Sequence, residues 1–267
     1  MAADDTGATI LASQALTKNF GGVLAVNDLS LEVREGEITA IIGPNGSGKT
    51  TFFNLVMHLY DATSGQILFG GERRNLLDLP THKINAQGLA RTFQTLRLFP
   101  NLTVLENVLV AMSSHVNAGF LPALLKPKWL RRQDRGAEEA ALETLSLFGA
   151  RLIRMCIEPA SSLSYANRRR LEIARCVASR PRLILLDEPV AGMNPTETRG
   201  VIEDIQRIHE KGHTVLLIEH DMALVEGVAH RVFAFDHGTK IAEGSFREVS
   251  THPAVIEAYL GKRAARH

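Results

Sequence analysis

Ile38-Thr-Ala-Ile-Ile42, running straight into Gly43-Pro-Asn-Gly-Ser-Gly-Lys49-Thr50, is the stretch that decides the fold of this chain. The first five residues are a near-continuous apolar run, the pattern of a strand covered on both faces. The next eight follow G-x-x-x-x-G-K-[ST], the Walker A pattern, and Thr51–Leu59 reads as a helix. Small residues let the backbone wrap a phosphate, so that successive N–H groups and the helix N-terminus face its charge. Lys49 is then expected to reach β- and γ-phosphates, and Thr50 to ligate Mg²⁺. An ordinary glycine turn makes no demand for this spacing between a buried strand and a helix.

Further strands are expected upstream at Ile10–Leu16 and Leu29–Val33, and downstream at Leu183–Leu186, Thr214–Ile218 and Arg231–Phe235. Helical segments separate the later ones, which implies an α/β fold with a mainly parallel sheet. From about Thr95 to Arg180 no buried strand stands out, and helical signals dominate. Thr103-Val-Leu-Glu106 is a capping box, and Ala141, Leu142, Leu145 and Phe148 share one helical face before Gly149, read as a C-cap. This block reads as a helical subdomain inserted into the core. Helices are also expected to start at Asn194-Pro195 and at Ser245-Phe-Arg-Glu248. Gly119–Arg132 is apolar and then basic; it reads as a helix–helix connection or as a membrane-surface segment.

The 267 residues, 45% of them hydrophobic, suffice for one large core with a small subdomain. Lys+Arg 30 against Asp+Glu 29 leaves a net charge of +1, without the basic excess expected of a nucleic-acid binder. The one basic cluster, Lys262, Arg263 and Arg266, reads as a solvated tail. Two cysteines, Cys156 and Cys176, supply neither a disulfide framework nor a zinc site and are expected to be buried thiols in a reducing compartment. Met1–Gly7 does not read as a signal peptide, and no apolar stretch approaches the roughly 18 residues of a membrane span. The expectation is a cytoplasmic protein whose membrane role runs through partners.

Leu183-Ile-Leu-Leu-Asp187-Glu188 delivers two carboxylates at a strand end, the edge where open α/β sheets bind ligands. An isolated acidic pair there is usually a helix cap; beside a Walker A loop, Asp187 is expected to support Mg²⁺ and Glu188 to polarise the attacking water. His220 follows the strand Thr214–Ile218 and is a candidate γ-phosphate contact. Spacing alone says nothing of Gln94 or Phe20.

Together these residues resemble the ATP-binding cassette (ABC) ATPases over nearly the whole chain, a family with a P-loop NTPase, RecA-like core, an antiparallel β subdomain and a helical subdomain. Leu163-Ser-Tyr-Ala-Asn-Arg168 occupies the place of the family signature, Ala90-Arg-Thr-Phe-Gln94 that of the Q-loop, Ala191-Gly-Met-Asn194 that of the D-loop, and His220 that of the switch histidine. The resemblance implies a core at 1–94 and 181–267 with a helical subdomain at 95–180. It implies ATP and Mg²⁺ as cofactors, with Glu188, His220 and Gln94 catalytic and Thr50, Gln94 and Asp187 around the metal. Phe20 would stack on adenine, and Gly43, Pro44, Asn45, Gly46, Ser47, Gly48, Lys49, Thr50 and Thr51 would hold the nucleotide. Ser164, Tyr165, Ala166 and Asn167 would meet the nucleotide of a second cassette. Arg91–Asn107 and Val255–Gly261 are similar to the LivG-type ATPases of branched-chain amino-acid importers; the ending is shared with urea and amide importers. Implied partners are a second ATPase subunit, membrane permeases docking near Leu96–Leu102, and indirectly a solute-binding protein, with no nucleic acid.

One departure stands out. The family signature has Gly and Gln where this chain has Ala166 and Asn167. If the backbone there requires φ > 0, alanine costs roughly 1–2 kcal/mol, and its methyl group would push the opposing phosphate away. That expectation weakens the site whose Walker A lies on the partner and favours a different partner over an identical one. It also favours a low-turnover regulatory cassette as the alternative, against which Glu188 and His220 argue. The span from Thr51 to Leu163 lacks the heptads of chromosome-organising relatives, and the single cassette argues against a translation factor.

Overall fold

The computed structural model describes residues 7–93, 97–112 and 128–260. The chain divides into two compact units: Met1–Leu89, Arg182–Glu188 and His209–His267 form the first, Ala90–Pro181 and Pro189–Ile208 the second. The expected segment Gly119–Arg132, Gln94 and the basic tail lie outside the described residues or their described side chains.

In the first unit, β1 (Thr9–Phe20) and β2 (Val23–Arg34) form a long antiparallel hairpin turning at Gly21-Gly22. In β2, Leu29, Leu31 and Val33 are buried between exposed Ser30 and Glu32, the period-2 pattern of a sheet with one face on a core. Next come β3 (Ile38–Ile42), β4 (Ser64–Phe69), β5 (Arg74–Asn75) and the short β6 (Leu89–Arg91). After them follow β7 (Leu183–Asp187), β8 (Thr214–Ile218), β9 (Arg231–Asp236) and β10 (Thr239–Gly244). One sheet has the order β2-β1-β4-β5; the other runs β10-β9-β3-β8-β7-β6. Strand β3 pairs in parallel with β8 and β9, and β7 with β8, while β10 closes antiparallel on β9. Every residue of β3, β7 and β8 is buried, as their largely apolar sequences require, with Thr39, Asp187 and Thr214 the polar members. Phe52, Phe53, Leu55 and Val56 of the helix Lys49–Val56 join both sheets in one apolar cluster, with Phe52 edge-on to Phe235 at 6.0 Å between centroids.

The second unit is helical: Val104–Met112, Lys128–Ser146, Ala150–Arg154, Tyr165–Ala178 and most of Pro195–Glu210. The capping box at its entry is formed, Thr103 Oγ1 accepting the Glu106 N–H at 3.1 Å while Glu106 accepts the Thr103 N–H at 2.8 Å. Asn194 caps the helix that opens on Pro195, and at the third expected start, in the first unit, Ser245 with Glu248 forms a capping box. Ala141, Leu145 and Phe148 are fully buried. Asp204 is fully buried and receives both Arg170, through Nε and Nη2 at 2.5 and 2.7 Å, and Arg207 at 2.9 Å.

Several expectations need correction. Helix Lys49–Val56 starts two residues before Thr51 and stops before Leu59, because the chain turns at His58, φ 47°. Gly149 does have positive φ, 80°, but it opens the helix Ala150–Arg154; the preceding helix has already ended at Ser146. Strands β4 and β10 lie outside the expected set; they pair antiparallel with β1 and β9. Cys176 is buried, its thiol pushed up to about 12 by desolvation, whereas Cys156 is only partly covered.

Candidate nucleotide-binding site

The loop Gly43–Gly48 sits where β3 ends, and its glycines answer to contacts as well as to backbone conformation. At Gly43 a Cβ would lie 2.2 Å from the Phe235 carbonyl oxygen. At Gly48, with φ 99°, it would lie 2.3 Å from the Ala25 carbonyl oxygen of β2. Strands β2 and β9 therefore press the loop from behind. Gly238 reinforces this by donating its N–H to Ser47 O at 3.1 Å and accepting the Asn27 N–H at 2.9 Å. Gly46, φ 81°, has nothing within 4 Å of its missing side chain, so the tip of the loop stays open to a bulky anion.

The Lys49 ammonium lies over this loop, donating to Gly43 O at 2.7 Å, Pro44 O at 2.9 Å and Ser47 Oγ at 3.4 Å. Desolvation holds its pKa below the ordinary lysine value, against the opposing fields of Glu188 and Asp187. A cation placed this way is short of solvent and favours an arriving anion. Asn45 and Gly46 are exposed, Pro44, Thr50 and Thr51 partly so, and Ser47 is buried.

Register brings the remaining groups to the same edge. Ile218 of β8 is opposite Ile41 on one side and Asp187 on the other. Glu188 continues this line with its N–H on Ile218 O at 3.0 Å, and Glu219 with its N–H on Ile41 O at 3.2 Å. Thus β3 delivers the loop, β7 the carboxylates Asp187 and Glu188, and β8 the pair Glu219-His220. Asp187 is fully buried. Glu188 is partly exposed at φ 47°, a left-handed conformation that costs a non-glycine residue about 1–2 kcal/mol. His220 presents its ring to solvent, 61% exposed. Its backbone is held by fully buried Glu219, whose Oε2 accepts the N–H groups of His220 at 2.9 Å and Asp221 at 3.1 Å. Sequence reading passed over Glu219; an acid directly after a five-residue apolar strand was its signal. Phe20, at the tip of the first hairpin, is 41% exposed and meets Tyr60 edge-on at 5.3 Å, with Lys18 Nζ 4.7 Å from the Phe20 centroid. Tyr60 is a second aromatic that spacing did not reveal.

The signature-like residues belong to the second unit. Ser164 caps the helix Tyr165–Ala178, its Oγ accepting the Asn167 N–H at 3.4 Å, and Tyr165 is 46% exposed. Ala166 lies in the first helical turn with ordinary negative φ and is 7% exposed. The strain expected of an alanine at this place is therefore absent, and its methyl group is packed into the protein.

These residues fit a nucleoside triphosphate: an open glycine loop, a desolvated ammonium, a helix N-terminus and two carboxylates at one sheet edge. The Thr50 hydroxyl and Asp187 carboxylate are the hard oxygen donors that suit Mg²⁺. The ABC transporter profile matches residues 26–191, and that of branched-chain amino acid ATP-binding cassette transporters matches 239–265. The chain is 44% identical over 254 residues to the high-affinity branched-chain amino acid transport ATP-binding protein LivG of Salmonella typhimurium, covering 95% of this chain and 98% of that one. BraF of Pseudomonas aeruginosa, of the same description, matches with the same identity and coverage. A solved ABC transporter cassette, MJ1267 in its ADP conformation, superimposes with a TM-score of 0.80 at 30% identity, over 96% of this chain and 100% of that one. A nucleotide-free cassette gives 0.79 at 29% identity, with the same coverage. The chain belongs to the ABC transporter family, as one of its ATP-binding, ATP-hydrolysing cassettes.

Proposed function

We propose that this cassette binds ATP with Mg²⁺ on Gly43–Thr51 and hydrolyses it to power import of branched-chain amino acids through membrane permeases. The observation that carries the reading is the register that sets Lys49, Asp187, Glu188 and His220 along one sheet edge. Mg²⁺ would neutralise charge on the phosphates. Thr50 and Asp187 would hold the Mg²⁺; among the described residues no three His, Cys, Asp or Glu gather to hold a metal. Lys49 holds the phosphates, Glu188 orients and deprotonates the attacking water, His220 contacts the γ-phosphate and Phe20 stacks on adenine. Gln94 would be a further residue holding the Mg²⁺ and assisting catalysis. Residues 1–94 and 181–267 would serve as the ATP-binding core and 95–180 as the helical subdomain, although Pro189–Ile208 packs in the same compact unit as Ala90–Pro181.

Ser164–Asn167 meet the nucleotide of a second cassette, so that ATP seals a pair and hydrolysis releases it. The relaxed conformation of Ala166 admits an identical copy as readily as a different subunit. Among the described residues no helix is long and apolar enough to cross a membrane, and permeases would hold the protein on the inner membrane face. A solute-binding protein would deliver the amino acid.

The test is Glu188→Gln in the chain assembled with its permeases and partner cassette. ATP hydrolysis is expected to fall about 10²–10⁴-fold while nucleotide affinity holds. Leucine with its binding protein should stimulate hydrolysis by the unaltered complex. Undiminished hydrolysis in the variant overturns the assignment of Glu188. Stimulation by urea or an amide, with none by leucine, overturns the substrate.

A further inference from the structure

Glu172 lies inside the helix Tyr165–Ala178, among buried Leu171, Ile173 and Ala174, and is itself only 4% exposed. Its neighbour one turn back, Arg169, is 3% exposed and joined to it, Nη1 to Oε2, at 3.1 Å. Burying such a pair wins little stability over apolar residues of the same size, because desolvation offsets the attraction. What the pair does hold is a second segment. Glu172 Oε1 accepts the N–H of Phe93 at 3.3 Å and of Arg97 at 3.4 Å, the residues immediately before and after 94–96. Arg169 Nη1 donates to Phe93 O at 2.6 Å, and Arg175 donates to Arg97 O. The Arg97 guanidinium lies 3.8 Å over the Phe93 ring. All of these residues belong to the second unit.

We propose that Glu172, with Arg169, is a positioning residue that binds both ends of the 93–97 stretch to the helix beginning at Ser164–Asn167, so that a displacement of one carries the other. The proposal rests on the reading of this chain as a transport-coupled ATPase, in which residues 164–167 meet nucleotide and the neighbourhood of 96–102 meets a permease. Charge-assisted bonds to backbone amides from a side chain locked in a helix make a short, stiff connection. A connection made only of apolar packing would leave the two segments free to slide. Neither residue is among those proposed to hold the nucleotide, so the clasp acts on coupling and not on ATP affinity.

The experiment uses the chain assembled with its permeases and partner cassette in liposomes, and reads leucine taken up per ATP hydrolysed alongside KM for ATP. Glu172→Gln keeps the shape but sets an amide against Arg169. The double variant Arg169→Met with Glu172→Met removes both charges together, leaving no unpaired buried cation to unfold the helix. Losing charge-assisted bonds is expected to lower uptake per ATP about tenfold in the double variant, and less in Glu172→Gln, with KM unchanged. Hydrogen exchange at residues 93 and 97 should accelerate in the same variants, and Glu172→Asp should recover part of the coupling. A folded variant of either kind that keeps the unaltered uptake per ATP overturns the proposal. If the unaltered complex shows no leucine-stimulated hydrolysis, the transport reading itself has failed.

Discussion

Ala166 illustrates how one residue's meaning depends on the backbone beneath it. Judged against a glycine in the family pattern, it looked like a handicap, because a positive φ would strain it. In the fold it occupies the first turn after the Ser164 cap, in helical conformation, with its methyl group buried. Glycine there loses more backbone freedom on folding than alanine does. Ala166→Gly is accordingly expected to cost about 0.5–1 kcal/mol of stability and to leave ATP hydrolysis unraised. Thermal unfolding and steady-state ATPase of the assembled complex check both; a several-fold gain in hydrolysis would restore the steric argument. Glu188 makes the opposite case. Its left-handed φ is a strain that no sequence pattern announced, and it falls on the side chain proposed as the base.

At the scale of elements, three helix starts were legible because a cap is a local affair. Thr103 with Glu106, Asn194 with Glu197 and Ser245 with Glu248 satisfy orphan N–H groups using residues within the same turn. Long-range ties were not legible. Asp204 is one acid on an amphipathic helix until folding brings Arg170 against it from thirty-four positions away. Burial pushes its pKa up, and hydrogen bonds and charge from Arg170 and Arg207 work in the opposite direction. Asp204→Ala leaves Arg170 without its bidentate acceptor and should destabilise the protein by about 3–5 kcal/mol, measured by denaturant unfolding. Removing Arg170 and Asp204 together for apolar residues of similar volume should cost distinctly less. Asn107 is a quieter example: fully buried, it accepts the Phe99 N–H at 2.9 Å and donates to the carbonyls of Phe99 and Thr103 at 3.0 Å.

On the scale of the whole molecule, the opposite end of the parallel sheet from the nucleotide loop carries its own electrostatic arrangement. The rings of His209 and His230 lie 4.7 Å apart; His230 Nδ1 accepts the Ile38 N–H at 3.0 Å, and His209 Nε2 donates to Gly36 O at 2.8 Å. Desolvation, then the neighbouring His209, hold the His230 pKa below its ordinary value, opposed by Glu37, which also faces Arg231. Above about pH 6.5 the imidazole is neutral in both folded and unfolded chains, and its contribution is fully present. As pH falls through that value the unfolded chain takes up the proton first, so stability declines until the folded pKa is reached. The expected result is a melting temperature that drops between pH 7 and pH 5, with a shallower slope in His230→Gln. A slope unaltered by that substitution assigns the acid sensitivity to other groups.

Read from residues alone, the chain yields a strand–loop–helix from Ile38 to about Leu59, the two acids at the end of β7, the histidine after β8, the caps and the α/β class. Each of these depends on neighbours in sequence or on the burial of an unbroken apolar run. The tertiary structure alone decided that Ala25 and Phe235 press on the glycines of the loop, that Glu219 secures His220, that Glu172 grips both Phe93 and Arg97, and that Ala166 is unstrained. Hydrogen bonds and close approaches between distant segments have no period and no fixed spacing. Only packing brings those atoms within three or four ångströms of one another, and their energies depend on that distance.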